Sequence, residues 1–236
     1  MTKRSALLLS LPWHRAGLVA IPMLLLQLAC QPSSQRVASP QQAQRYFTQA
    51  LDQAKRGNTN KALQLLNASI AAKPDFADAY NNKGNVLMMM RKFGEATGSY
   101  SDAIRIDSNN MAFRFNRGYA LLLANNTTES LKDLNRVIEK EPNNGKARAL
   151  RGQARLILED FAGAIQDFDQ ASSLLPENGQ LFANRGVAQA KLGNVKAAQA
   201  DFSKAEALFR ATGDQQSLAQ LLKAKEALLR APSSNR

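Results

Sequence analysis

Residues able to act as nucleophiles, as proton carriers near neutral pH or as soft metal ligands sit in one short stretch. The 236-residue chain has one histidine (His14), one cysteine (Cys30) and one tryptophan (Trp13), all within the first thirty residues. Beyond Cys30 there is no imidazole and no thiol. Ser-His-Asp triads, Cys-His catalysis and zinc sites of the Cys/His type cannot be built there. A disulfide within one chain is impossible. Neighbouring carboxylates remain, such as Glu159 with Asp160, but they fall at a turn between helical patterns, where solvated acids are ordinary. Catalysis is therefore not expected, nor a cofactor, a metal or a small-molecule substrate. Arginine is the plentiful functional group. Arg114, Arg117, Arg148, Arg151, Arg155 and Arg185 offer planar guanidinium forks suited to carboxylates and phosphates.

Charge raises the same theme. Lys+Arg number 31 against 19 Asp+Glu, a formal +12 with a pI near 10.1. That imbalance points to nucleic acid or an anionic membrane. With 44% hydrophobic and 21% charged residues the chain is not intrinsically disordered.

Residues 1–29 have the pattern of a targeting segment. Lys3, Arg4 and Arg15 are the only charges before Arg36, and residues 16–29 (AGLVAIPMLLLQLA) form an apolar run. The run is short for a membrane-spanning helix and suits the hydrophobic region of a secretory signal. It ends in Leu28-Ala29-Cys30, which resembles a bacterial lipoprotein signal; the resemblance implies that Cys30 is lipidated and becomes the mature N-terminus. Gln27 departs from that pattern. An uncleaved anchor, an ordinary signal with an incidental cysteine and a plastid-type leader are the alternatives. From Cys30 to residue 41 a Pro/Ser/Gln-rich stretch is expected to be a flexible tether.

The elements that position the arginines follow from a repeat. Gly84, Gly118, Gly152 and Gly186 are spaced by 34, and Ala50 holds the same slot one period earlier. Numbering the unit so that this slot is position 8 gives five gapless units: 43–76, 77–110, 111–144, 145–178 and 179–212. Position 20 reads Ala62, Ala96, Ser130, Ala164 and Ala198. Position 24 reads Leu66, Tyr100, Leu134, Phe168 and Phe202. Position 27 reads Ser69, Ala103, Val137, Ala171 and Ala205, and position 32 reads Pro74, Ser108, Pro142, Pro176 and Arg210. This pattern resembles the tetratricopeptide repeat. The resemblance implies an all-α, right-handed superhelical solenoid of five helix pairs (helix A, then helix B), with partners held in the concave groove. Small residues at 8 and 20 allow the two helices to cross closely, and position 24 supplies the apolar knob. Proline at position 32 is expected to stop helix B, and Asn109-Asn110, Asn143-Asn144 and Asn178 offer N-caps for the next helix. Residues 213–230 are expected to form a capping helix with an apolar stripe of Leu218, Leu221, Leu222, Leu228 and Leu229, and 231–236 a frayed tail.

Two readings of the arginines stay open. Arg148, Arg151 and Arg155 recur at i, i+3 and i+7, as a basic ladder on one helix face would. Against this, aspartate stands at position 23 in the three units that carry arginine at position 7. That covariation within the chain predicts the ion pairs Arg117–Asp133, Arg151–Asp167 and Arg185–Asp201. Arg114, Arg148 and Arg155 are then left for an acidic ligand.

Positions 2, 5, 9 and 12 of helix A form a second face. In the resembled family that face lines the groove, which assigns to it Phe47, Asn81, Asn85, Met88, Phe115, Tyr119, Leu122, Lys146, Gln153 and Leu156. The lining is apolar and amide-rich, suited to an apolar or amphipathic segment of another protein. Helical repeats also read RNA, but the three central units carry a net charge of zero, so nucleic acid is not expected as a partner. The expected function is a membrane-tethered scaffold outside the cytoplasm, in assembly or maintenance of a cell-envelope complex. A thylakoid-membrane assembly factor is the alternative.

Overall fold

A computed structural model describes residues 39–230; the leader, Cys30, most of the tether and the 231–236 tail lie outside them. Eleven α-helices and no strand occur among the described residues. Five are A helices: α1 (Pro40–Lys55), α3 (Ala77–Met89), α5 (Met111–Leu123), α7 (Gly145–Ile157) and α9 (Gly179–Lys191). Five are B helices: α2 (Thr59–Ala72), α4 (Phe93–Ile106), α6 (Thr127–Lys140), α8 (Phe161–Leu174) and α10 (Val195–Thr212). The last helix, α11, spans Gln215–Arg230. Each A helix packs on its own B helix, each B helix on the next A helix, and successive A helices touch one another, which makes a solenoid.

The closest approach within each pair is at positions 8 and 24. A methyl group built on Gly84 would come within 2.5 Å of the Tyr100 ring, on Gly152 within 2.8 Å of Phe168, and on Gly186 within 2.6 Å of Phe202. At Gly118 the facing knob is Leu134, and the same methyl would lie 3.2 Å away. Where the knob is Leu66, Ala50 fits, and both are fully buried. Knob size and the space left opposite it therefore vary together. Hydroxyls at other small positions tie the crossings: Ser130 Oγ donates to the Gly118 carbonyl (2.7 Å) and Ser69 Oγ to that of Ala43 (2.9 Å).

The buried clusters run across unit boundaries. Ala50, Leu66 and Ala62 share one with Ala79 and Val86 of the next pair; Leu134 and Val137 share another with Ala147, Leu150 and Ala154. The largest joins α8, α9 and α10 to Leu218 and Leu221 of α11. No pair buries its apolar face alone, as expected of a stacked repeat.

Turn chemistry is equally periodic. Position 15 takes a left-handed backbone in every unit: Gly57 (φ 79°), Arg91 (58°), Asn125 (62°), Glu159 (62°) and Gly193 (79°). Glycine and asparagine accept this conformation readily, whereas arginine and glutamate are strained there. Asn110, Asn144 and Asn178 accept N-terminal amide protons from Ala112, Ala147 and Leu181.

Three sequence expectations need correction. The tether does not extend to residue 41: α1 begins at Pro40, with the Ser39 side chain accepting from Gln42 N, because Ser-Pro supplies an N-cap followed by a residue preset for the first turn. Proline at position 32 is not what ends helix B in every unit. With Ser108 in that slot, α4 still stops at Ile106, while with Arg210 α10 runs on to Thr212 and stops at Gly213 (φ 71°). Leu222 leaves the expected stripe of α11 and is exposed, since the contacts to α9 and α10 use Leu218 and Leu221.

The crossing geometry sets a graded expectation. Gly152→Ala should cost about 1–3 kcal/mol, the range for overpacking a filled core, and Gly118→Ala clearly less, because Leu134 adjusts where a ring cannot. Thermal or urea unfolding of the two variants measures it; equal losses would contradict the gradation.

Candidate functional site

The arginines at position 7 each bridge three helices. Arg117 donates from Nε to Asp133 Oδ2 (2.6 Å) and from Nη2 to Oδ1 (2.7 Å). Arg151 does the same to Asp167 (2.9 and 2.6 Å), and Arg185 to Asp201 (2.9 and 2.6 Å). In each case the remaining Nη1 reaches back to position 25 of the preceding unit: Ser101 (3.1 Å), Asn135 (2.9 Å) and Asp169 (2.8 Å). The two partners stand sixteen residues after and sixteen before the arginine, so one guanidinium ties helix A to its own helix B and to the helix B before it. Sequence reasoning missed the backward contact, although the polar register Ser101, Asn135, Asp169 was visible. The aspartates are buried at 3%, 2% and 6% exposure, a state carboxylates tolerate only when paired. Their hydrogen bonds raise the pKa of Arg117 and Arg185 above the ordinary guanidinium value, against the opposing effect of burial.

The basic ladder on α7 is turned inward. Arg155 Nη1 lies 2.9 Å from Asp167 Oδ2 and donates to the Gly163 carbonyl (3.0 Å), so Arg151 and Arg155 share one aspartate. Arg148 donates to the Pro142 carbonyl from Nε and Nη2 (3.0 and 2.8 Å) and contacts the Gln170 side chain. Neither is left over for an acidic ligand, because each finds acceptors on the preceding loop or on helix B. Arg114 differs: its contacts to Asp133 and the Ser108 carbonyl are both 3.5 Å, and its Nε is buried without a partner.

The expected groove residues divide. Phe115, Tyr119, Lys146 and Gln153 line one concavity of about 430 Å³ between α5, α7 and α9. Tyr119 is 43% exposed, while Phe115 also packs against the core beneath. Leu122 belongs to that core at 4% exposure and is not a groove residue: it clusters with Leu150 and Ala154 of the next A helix. Leu156 and Met88 are likewise packed against buried clusters. In the first two units the groove face is spent on internal contacts. Asn81 accepts from Asn116 Nδ2 (2.9 Å), Asn85 accepts from the Tyr100 hydroxyl (2.8 Å), and Phe47 lies on Phe76 with ring centroids 4.9 Å apart. Burial also pushes the Tyr100 phenol pKa well up.

Leu150, Phe168, Leu175, Asn178 and Leu181 also line the concavity and were not anticipated there. Leu175 is the instructive one. Position 31 is Lys73, Asp107 and Glu141 in the first three units and turns apolar at Leu175, with Phe209 in the fifth, a change that marks the loop where the groove gains an apolar wall. Lys146 is the one formal charge in the lining. The amides of Gln153, Gln180 and Asn184 can donate to and accept from a bound main chain. Among the described residues no group of His, Cys, Asp and Glu is arranged to hold a metal ion, and no helix is long and apolar enough to cross a membrane.

The sequence pattern of the tetratricopeptide repeat matches residues 47–110, 83–145 and 115–178, which together span 132 of the 236 residues. The chain belongs to the tetratricopeptide repeat family. Solved structures share the fold. MamA from Desulfovibrio magneticus RS-1 superposes with a TM-score of 0.68 at 20% identity, over 72% of this chain and 96% of that one. YrrB, a tetratricopeptide protein with an unusual peptide-binding site, gives 0.64 at 23% identity, over 77% and 90%. A tetratricopeptide repeat protein from Parabacteroides merdae ATCC 43184 gives 0.67 at 20%, over 80% and 72%. None of the curated protein sequences matches the chain.

A double-mutant cycle on Arg151→Ala and Asp167→Ala should give a coupling of about 0.5–3 kcal/mol in urea unfolding, the range for residues in one network. Asp167→Ala should be the more destabilised single variant, because it leaves both Arg151 and Arg155 without their shared buried acceptor, whereas Arg151→Ala leaves Asp167 paired with Arg155. Zero coupling would show that the pair does not contribute as a unit.

Proposed function

We propose that the chain is a membrane-tethered scaffold that captures a segment of a partner protein in the concavity between α5, α7 and α9. One observation carries this reading: an apolar floor with an exposed aromatic, Tyr119, is rimmed by amides and carries a single charge. Such a surface suits a peptide whose apolar side chains enter the groove while Gln153, Gln180 and Asn184 satisfy its main chain. The peptide-binding site in the name of YrrB, a protein of the same fold, supports the same use of the groove here. An RNA backbone would want a row of cations, and the lining has only Lys146. No catalysis is assigned to the chain. The tether rests on residues 1–30: the basic start, the apolar run and Cys30 favour a lipid anchor, with the repeats outside the cytoplasm and work in assembly or upkeep of a cell-envelope complex.

Two measurements test the two halves separately. Cross-linking from membranes should recover a protein partner with the native chain and lose most of it with Tyr119→Ala. The melting temperature should stay nearly unchanged, because that side chain is exposed and belongs to none of the buried clusters. Retention at high salt is expected of so weakly charged a groove; release by salt together with RNA in the eluate would overturn the reading. Mass spectrometry of the protein isolated from membranes should show an acylated N-terminal Cys30, and an intact unmodified leader would refute the lipid anchor.

A further inference from the structure

Position 4 of helix A holds Tyr46, Tyr80 and Phe182 in three units and arginine in the other two. The two arginines have different fates. Arg148 is saturated by the Pro142 carbonyl and by Gln170, which stands at position 26 of its own helix B. In the unit before, position 26 is Arg136. Arg136 is a cation already engaged with Glu139 (2.8 Å), so the acceptor that satisfies Arg148 has no counterpart for Arg114. The carbonyl equivalent to that of Pro142 belongs to Ser108, and Arg114 reaches it only at 3.5 Å. Its other neighbour, Asp133, is taken by both nitrogens of the Arg117 fork. The one buried side-chain polar atom without a partner among the described residues is Arg114 Nε.

Arg114 also lines a polar pocket of about 370 Å³ where α4, α5 and α6 meet, with Thr97, Ser101, Arg117, Glu129, Lys132 and Asp133. The pocket shares no residue with the α5/α7/α9 concavity. Its charges balance except for one. Asp133 is neutralised by Arg117, and Glu129 accepts from Lys132 Nζ at 2.7 Å. The surplus is a single positive charge on a guanidinium fork with unfilled donors. We infer that this pocket binds a carboxylate group through Arg114. A monoanion matches the one-charge surplus, whereas a dianionic phosphate would sit beside two carboxylates with only one cation uncommitted. The carboxylate comes from a small free acid or from an acidic side chain of a bound polypeptide. Binding turns the guanidinium outward so that Nε and a terminal nitrogen both find acceptors.

The arginine Nε–H signals of the full ¹⁵N-labelled chain in detergent give a direct readout. Titration with acetate at constant ionic strength should shift the Arg114 signal saturably. A capped Gly-Asp-Gly peptide forms the second arm. Tighter binding of the peptide supports the site with a polypeptide source, and equal binding supports it with a free acid as the source. Arg114→Gln should weaken acetate binding roughly tenfold or more, the effect of losing a charge-assisted pair. Should that variant fail to fold, Lys132→Gln serves instead: its side chain is exposed, and its removal leaves Glu129 uncompensated and should weaken acetate several-fold. Absence of a saturable shift, unchanged affinity in the folded variant, or tighter binding of inorganic phosphate than of acetate would overturn the assignment.

Discussion

Two helices in every unit are held at the distance set by a residue with almost no side chain at position 8 and a buried knob at position 24. The rest of the structure depends on this crossing. Once Gly152 admits the Phe168 ring, or Gly186 that of Phe202, helices A and B are fixed relative to each other, and so are the side chains that flank the contact. Arginine at position 7 and aspartate at position 23 are the immediate sequence neighbours of the two crossing residues. They meet because the crossing brings them together. The ion pairs are thus a consequence of the close approach, and the reach of each arginine to the preceding helix B turns a contact within one unit into a link between units.

That linkage is uneven along the chain. Units three to five each have the arginine, the aspartate and the backward acceptor, whereas the second unit carries Lys83 and Ser99 in the corresponding slots. Internal contacts differ in parallel. The groove face of the first two units is consumed by Asn81 with Asn116, Asn85 with Tyr100 and Phe47 with Phe76. Open apolar lining begins at Phe115 and Tyr119 and continues through α7 and α9. The part of the solenoid best braced by arginine is the part that offers a concavity, as a preorganised binding surface requires.

Arginine therefore has two uses in this chain, and net charge alone does not tell them apart. A formal +12 suggests nucleic acid at first sight. Yet Arg117, Arg151, Arg155 and Arg185 are turned onto buried aspartates and contribute little field toward solvent. What remains is charge at the two ends of the sequence and one incompletely satisfied guanidinium at Arg114.

The sequence by itself determined the repeat, its length of 34 and its register, because crossing residues, knobs and caps recur at fixed spacing and each leaves a local trace. It also pointed to the Arg–Asp pairs at positions 7 and 23, since charge complementarity recurred in the same three units, and the structure decided for them over a ligand-binding ladder. Only the tertiary structure decided which helix A residues face open space. Positions 5, 9 and 12 look alike on one helix, but Leu122 is claimed by the next A helix and Tyr119 is not, and that choice depends on how neighbouring units lean together. The same holds for Arg148, Arg155 and Arg114. One sequence pattern made them equivalent candidates, and acceptors arriving from other helices and loops saturated two of them and left the third.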